Sequence, residues 1–171
     1  MRLEQTDYVN CDSQYKFMGP HLGVLYGKYE LLDRLQAYKV RPAPKDPPGK
    51  YETGTQNHEG IAGTLAAVNY LAGIGQQYGK EYRDRFSGFS GRRLDLKAGL
   101  TVIRENDHVL SAAILDELET LPGEQIHGIT DRCGLEERVP TVSFTWEGRH
   151  PRDIAAVLGE QGIFVWDGNY Y

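Results

Sequence analysis

The chain has 171 residues, a net charge of −5 and a pI near 5.5, with 40% hydrophobic and 25% charged residues, which is enough apolar material for a core and excludes a disordered polypeptide. The acidic balance excludes nucleic acid as the main partner, because neutralising phosphates takes a concentrated basic face. Two distant cysteines and five scattered histidines give no disulfide framework and no zinc spacing, and with neither a signal-peptide core nor a run of membrane-spanning length the expectation is a soluble, cytoplasmic protein with no membrane partner.

Thr6 to Cys11 and His21 to Tyr26 are predicted as strands, the second carrying the apolar run Leu22 to Tyr26 that suits burial. Between them lies Lys16, with Ser13 upstream and the turn Gly19-Pro20 downstream. Such a turn holds an amine rigidly. A Schiff-base lysine needs this, because burial and nearby positive charge lower its pKa while a fixed stem keeps the nitrogen against the carbonyl it attacks. The other reading of this segment by itself is a surface lysine in a hairpin turn.

Tyr29 to Tyr38 is predicted as a short helix with Leu31, Leu32 and Leu35 inward, and Val40 to Lys50, with Pro42, Pro44, Pro47 and Pro48, as an exposed loop. Glu52 to Asn57 then feeds a helix marked by Ile61, Leu65, Val68 and Leu71 and running to about Gly79. Asn57 is its N-cap, and hydroxyls beside a helix N-terminus make a natural anion site. The basic residues from Lys80 to Lys97 are interrupted by Glu81, Asp84 and Asp95 and read as a solvated surface. A helix follows from about Leu94 to Leu121, stopped by Pro122-Gly123. Strands at Gln125 to Ile129 and Val139 to Thr145, a helix from Pro151 to Leu158 and a strand from Ile163 to Trp166 then form an α+β unit.

The segment Ser13-Gln14-Tyr15-Lys16 with Gly19-Pro20 and its short apolar strand resembles the pyridoxal-phosphate lysine motif of class V aminotransferases and cysteine desulfurases, in which Ser-x-His-Lys precedes Gly-Pro. Here Tyr15 stands in the histidine's place. About forty residues on, Gly54-Thr55-Gln56-Asn57 is similar to the same family's Gly-Thr-x-Asn signature. The stretches Gly54 to Gly60 and Arg138 to Phe144 look like a cysteine desulfurase-like subgroup.

The resemblance implies an α/β fold of the fold-type-I class. Residues 1–97 would be the C-terminal part of the cofactor-binding large domain, with its mostly parallel sheet, and residues 98–171 an incomplete small α+β domain. It implies Lys16 as the internal aldimine lysine, Ser13 as a phosphate ligand with Tyr15 offering a hydroxyl beside it, and Thr55 reaching the phosphate of a neighbouring subunit in a homodimer. The substrate would be an amino acid. Tyr171 stands where the subgroup's cysteine nucleophile would lie; Cys11 reads as a small packing residue and Cys133 as a loop thiol. Complete members are more than twice as long. The aspartate that pairs with the pyridine nitrogen, the stacking histidine and the carboxylate-binding arginine have no counterpart here, so this fragment is expected to be inactive alone. The contrasting reading is a non-catalytic fragment or subunit that only retains the fold.

Overall fold

The computed structural model describes residues 8–13 and 17–168, with the backbone alone for residues 8–12. The chain divides into two units, Met1–Leu100 and Thr101–Tyr171.

In the first unit, strands β1 (Tyr8–Asp12) and β2 (Gly23–Gly27) pair antiparallel with Asn10 opposite Leu25. Among the described residues no parallel strand joins them. β2 was expected to be buried. Instead Val24, Leu25 and Tyr26 are all exposed, because among the described residues the sheet has two strands and nothing buries this run.

Helix α1 (Tyr29–Arg34) is shorter than its leucine spacing predicts. Leu31 and Leu32 are half-buried, but Leu35 is already extended and exposed, and the chain leaves the helix there. The cause lies fifteen residues downstream, where Lys50 Nζ donates to the carbonyls of Asp33 (2.6 Å) and Leu35 (2.9 Å) and Tyr51 Oη donates to that of Leu32 (2.6 Å). These side chains satisfy the last turn's carbonyls in place of further helix. The proline-rich loop before them is irregular and largely exposed as predicted, but Lys50 at its end is buried.

Helix α2 (His58–Tyr78) starts and stops where the sequence indicates, with Asn57 Oδ1 accepting from Gly60 N (2.9 Å) and Gly79 as C-cap. It packs against helix α3 (Gly91–Leu118) with the two backbones nearly touching. A Cβ on Gly75 would lie 1.8 Å from the Asp95 carbonyl oxygen, and one on Gly99 would lie 2.4 Å from that of Leu71. Leu71, Ala72 and Ala98 are buried apolar residues among those described in this unit. Asp95 is also buried, which corrects the reading of residues 80–97 as uniformly solvated. Its carboxylate accepts from Gln76 Nε2 (2.8 Å) and Arg83 Nη1 (2.7 Å), and these hydrogen bonds, Gln76's first, hold its pKa below the ordinary carboxylate value against the opposing effect of burial.

The second unit contains strands β3 (Glu124–His127) and β4 (Ser143–Trp146), antiparallel with Ile126 opposite Phe144. Exposure alternates along both, so the Ile126–Phe144 pair lies on the more buried face. Trp146 Nε1 donates to the Pro122 carbonyl (2.9 Å), and Arg138 holds the intervening loop by donating to the carbonyls of Ile129 and Thr141. Helix α4 (Pro151–Glu160) opens with proline as predicted. Ile163 to Trp166 forms no strand, contrary to the sequence pattern. Val165 and Trp166 border a groove of about 350 Å³ whose other wall includes Thr141 to Thr145, and no ladder crosses it. Among the described residues no helix is long and apolar enough to cross a membrane, and no group of three His, Cys, Asp or Glu could hold a metal ion.

Candidate functional site

The segment joining β1 to β2 is drawn into a closed loop by its own ends. Ser13 N donates to the Leu22 carbonyl (3.0 Å), Gly19 N donates to the Ser13 carbonyl (3.0 Å), and the Ser13 hydroxyl donates to the Pro20 carbonyl. Ser13 is fully buried. Its single hydroxyl proton is thus committed within the loop, and a contact to any bound anion requires it to change partner. Tyr15 and Lys16 lie outside the described residues, as does Tyr171. Met18, on the far side of the loop, is held at φ 58, a left-handed backbone that a side-chain-bearing residue adopts only at some cost.

Pro20 connects this loop to the second motif. Gly63, in the second turn of α2, faces the proline ring so closely that a Cβ there would lie 3.0 Å from Pro20 Cγ. The start of α2, which follows the second motif, therefore rests on the loop that carries the first. The spacing of Ala62, Gly63, Ala66 and Ala67 marks a close-packed helix but does not name its neighbour. Thr64, next to that contact, carries a buried hydroxyl oxygen with no hydrogen-bond partner among the described residues. Sequence reasoning passed over it, because a threonine on a helix gives no sign of being unsatisfied.

Thr55 stands in an exposed bend before α2, between Gly54 at φ 82 and the Asn57 cap. Thr53, two residues before it, is exposed as well. The donor chemistry of this end of α2 suits an anion: two exposed hydroxyls beside a helix start whose dipole favours negative charge. Glu52 and Glu59 flank it and oppose that field. Ser13 and Thr55 are not joined by a direct hydrogen bond. Elsewhere, Cys133 is exposed at the start of a short helical turn, Arg132–Glu137, where its amide caps onto Asp131.

No family model matches the chain. Individual proteins do. A probable cysteine desulfurase of Halalkalibacterium halodurans is 29% identical over 178 residues, covering 95% of this chain and 36% of the relative. One of Streptomyces coelicolor is 29% identical over 182 residues, covering 97% of this chain and 36% of the relative. The apo structure of a cysteine desulfurase from Thermococcus onnurineus NA1 superposes with a TM-score of 0.58 and 24% identity, over 92% of this chain and 36% of that one. The chain spans about a third of the length of the relatives it matches. Nearly all of the chain thus aligns with part of the cysteine desulfurases, and it shares the fold of one of them over the same stretch.

Proposed function

We propose that this chain is the lysine-bearing part of a pyridoxal-phosphate-dependent enzyme acting on an amino acid, with Lys16 as the Schiff-base residue and Ser13, Tyr15 and Thr55 as contacts to the cofactor phosphate. The observation that carries the reading is the closed Ser13–Leu22 loop seated on the start of α2 through Pro20 and Gly63, in a chain aligned with cysteine desulfurases over 95% of its length. The residues present fit such a cofactor by their chemistry: an amine for its aldehyde, and hydroxyls at a helix start for its phosphate. A phosphate arriving at the loop would take the Ser13 proton from Pro20, and the freed carbonyl would need another donor.

When bound, pyridoxal phosphate supplies an electron sink for the pair of electrons left when a bond to the α-carbon of an amino acid breaks. Lys16 anchors it, and the Lys16 amine, once free of that attachment, takes and returns the α-proton as general base and acid. In this reading Thr55 contacts the phosphate held by a second copy of the chain, and the working unit is a homodimer; the exposure of Thr55 in its bend supports that role. Tyr171 in the place of a cysteine argues against a sulfur-accepting nucleophile at that position, since a phenol cannot carry a persulfide. The reaction is one of those open to an amino acid bound in this way, namely amino transfer, β-elimination, racemisation or desulfuration.

The test is borohydride trapping of the chain with pyridoxal phosphate, followed by peptide mapping. Reduction onto Lys16 is the expected result, abolished in Lys16→Ala. Label spread over surface lysines, or none, would replace this reading with that of a subunit that retains the fold without the cofactor, for which the bare faces of β2 already speak.

A further inference from the structure

Lys50 is the one lysine recorded as buried among the described residues, at 6% exposure, and it sits at the end of a proline-rich loop where a solvated side chain was expected. Its ammonium is held by two carbonyls at the end of α1, those of Asp33 (2.6 Å) and Leu35 (2.9 Å), and lies 5.3 Å from the centre of the Tyr51 ring. Tyr51 adds its hydroxyl to the Leu32 carbonyl at 2.6 Å, with Leu35 at 3.3 Å. Two consecutive residues thus fasten the chain back onto the helix that directly follows β2.

What this clamp fixes is the next turn. Thr55 is four residues beyond Tyr51, so a stretched chain allows it at most about 14 Å from that anchor, and Gly54 at φ 82 turns it within that reach. On the other side the Asn57 cap and the Pro20–Gly63 contact hold the start of α2. Thr55 therefore hangs between two fixed points, one on α1 and one on the lysine loop. Were Lys50 and Tyr51 released, the loop from residue 36 and the bend would form one unpinned stretch of about twenty residues, with far more conformations to lose on binding.

We propose that Lys50 and Tyr51 are positioning residues that set the Thr53–Asn57 turn for the phosphate of the cofactor. This rests on the pyridoxal-phosphate reading above. A clamp that acts on the phosphate contact has a signature that general destabilisation lacks, because pyridoxal without its phosphate does not use Thr55.

The experiment compares binding of pyridoxal phosphate and of pyridoxal to the chain and to Lys50→Met, Lys50→Arg, Tyr51→Phe and Thr55→Ala, with circular dichroism as the check on folding. Expected is a loss of about tenfold in affinity for pyridoxal phosphate in Lys50→Met, recovery in Lys50→Arg, which can again donate to both carbonyls, and a smaller loss in Tyr51→Phe, with pyridoxal affinity unchanged throughout. Should Lys50→Met not fold, Tyr51→Phe and Lys50→Arg carry the comparison. If Thr55→Ala weakens pyridoxal phosphate while the Lys50 and Tyr51 variants either leave it unchanged or weaken both ligands equally, the clamp has no positioning role. If the unaltered chain does not prefer pyridoxal phosphate over pyridoxal, and Thr55→Ala changes nothing, the underlying cofactor reading fails and the inference falls with it.

Discussion

Gly75→Ala tests the crossing of α2 and α3, on which the orientation of α2 depends. The added methyl would sit 1.8 Å from the Asp95 carbonyl oxygen, whereas non-bonded heavy atoms rest about 3.5 Å apart. The obstacle is backbone, so no side chain can swing aside and the helices must part by roughly 1.5 Å, an overpacking that costs about 1–3 kcal/mol. Parting them also stretches the Asp95 hydrogen bonds to Gln76 and Arg83, now 2.8 and 2.7 Å, and a bond to a charged group is worth about 1.5–3 kcal/mol. Alanine's better helix propensity returns about 1 kcal/mol. The net loss is about 2–4 kcal/mol, which at a urea dependence of about 2 kcal/mol per molar lowers the midpoint by about 1–2 M. Gly73 in the same helix is the control, because nothing lies within 4 Å of its missing Cβ; Gly73→Ala should be neutral or stabilising by up to about 1 kcal/mol. Urea unfolding followed by circular dichroism measures both. Equal midpoints for the two variants would refute the close crossing.

Asp95 carries a pH dependence whose direction follows from its depressed pKa: the stability it contributes is complete above the ordinary carboxylate pKa of 3.8 and is lost as pH falls through the lower folded-state value. Asp95→Asn should remove that acid limb from a stability–pH curve, and an unchanged slope would exclude Asp95 as its source. Asn57→Ala removes the acceptor for Gly60 N and should cost about 1 kcal/mol in the urea midpoint, with hydrogen exchange rising first at residues 58–61. Glu59→Gln removes a like charge from the first turn of α2 and should tighten pyridoxal phosphate by about two- to fivefold at low ionic strength, an effect that fades with added salt. Binding that is insensitive to both the substitution and the salt would place the phosphate elsewhere.

What the sequence shows well is what neighbours in the chain decide. Asn57 three residues before Gly60, the apolar spacing from Ile61 to Leu71 and Gly79 as the stop locate α2 closely, because capping and periodicity act within a few residues. Its failures all concern partners distant in sequence. β2 has the composition of a buried strand, but burial is conferred by layers, and none covers Val24 to Tyr26. Ile163 to Trp166 has the pattern of a strand without a ladder to join. α1 stops at Arg34 because carbonyls at its end are taken by side chains from residues 50 and 51, and Asp95 and Lys50 are buried because Arg83, Gln76 and the end of α1 meet them. Of the candidate site, the sequence supplies the motif residues as candidates, whereas the Pro20–Gly63 contact between their segments cannot be read from it, since glycine reports only that something is close.

The exposed apolar run of β2 makes protein concentration a variable in every such measurement. Along β2, Val24, Leu25 and Tyr26 are all exposed, a contiguous apolar surface of the kind that marks an interaction site. Surface of that kind is covered by mass action, so apparent stability rises with the amount of protein or of added partner. A midpoint or an affinity taken at one dilution then describes an assembly as much as a chain, and a titration of concentration at fixed urea measures how much of the fold is lent by its neighbours.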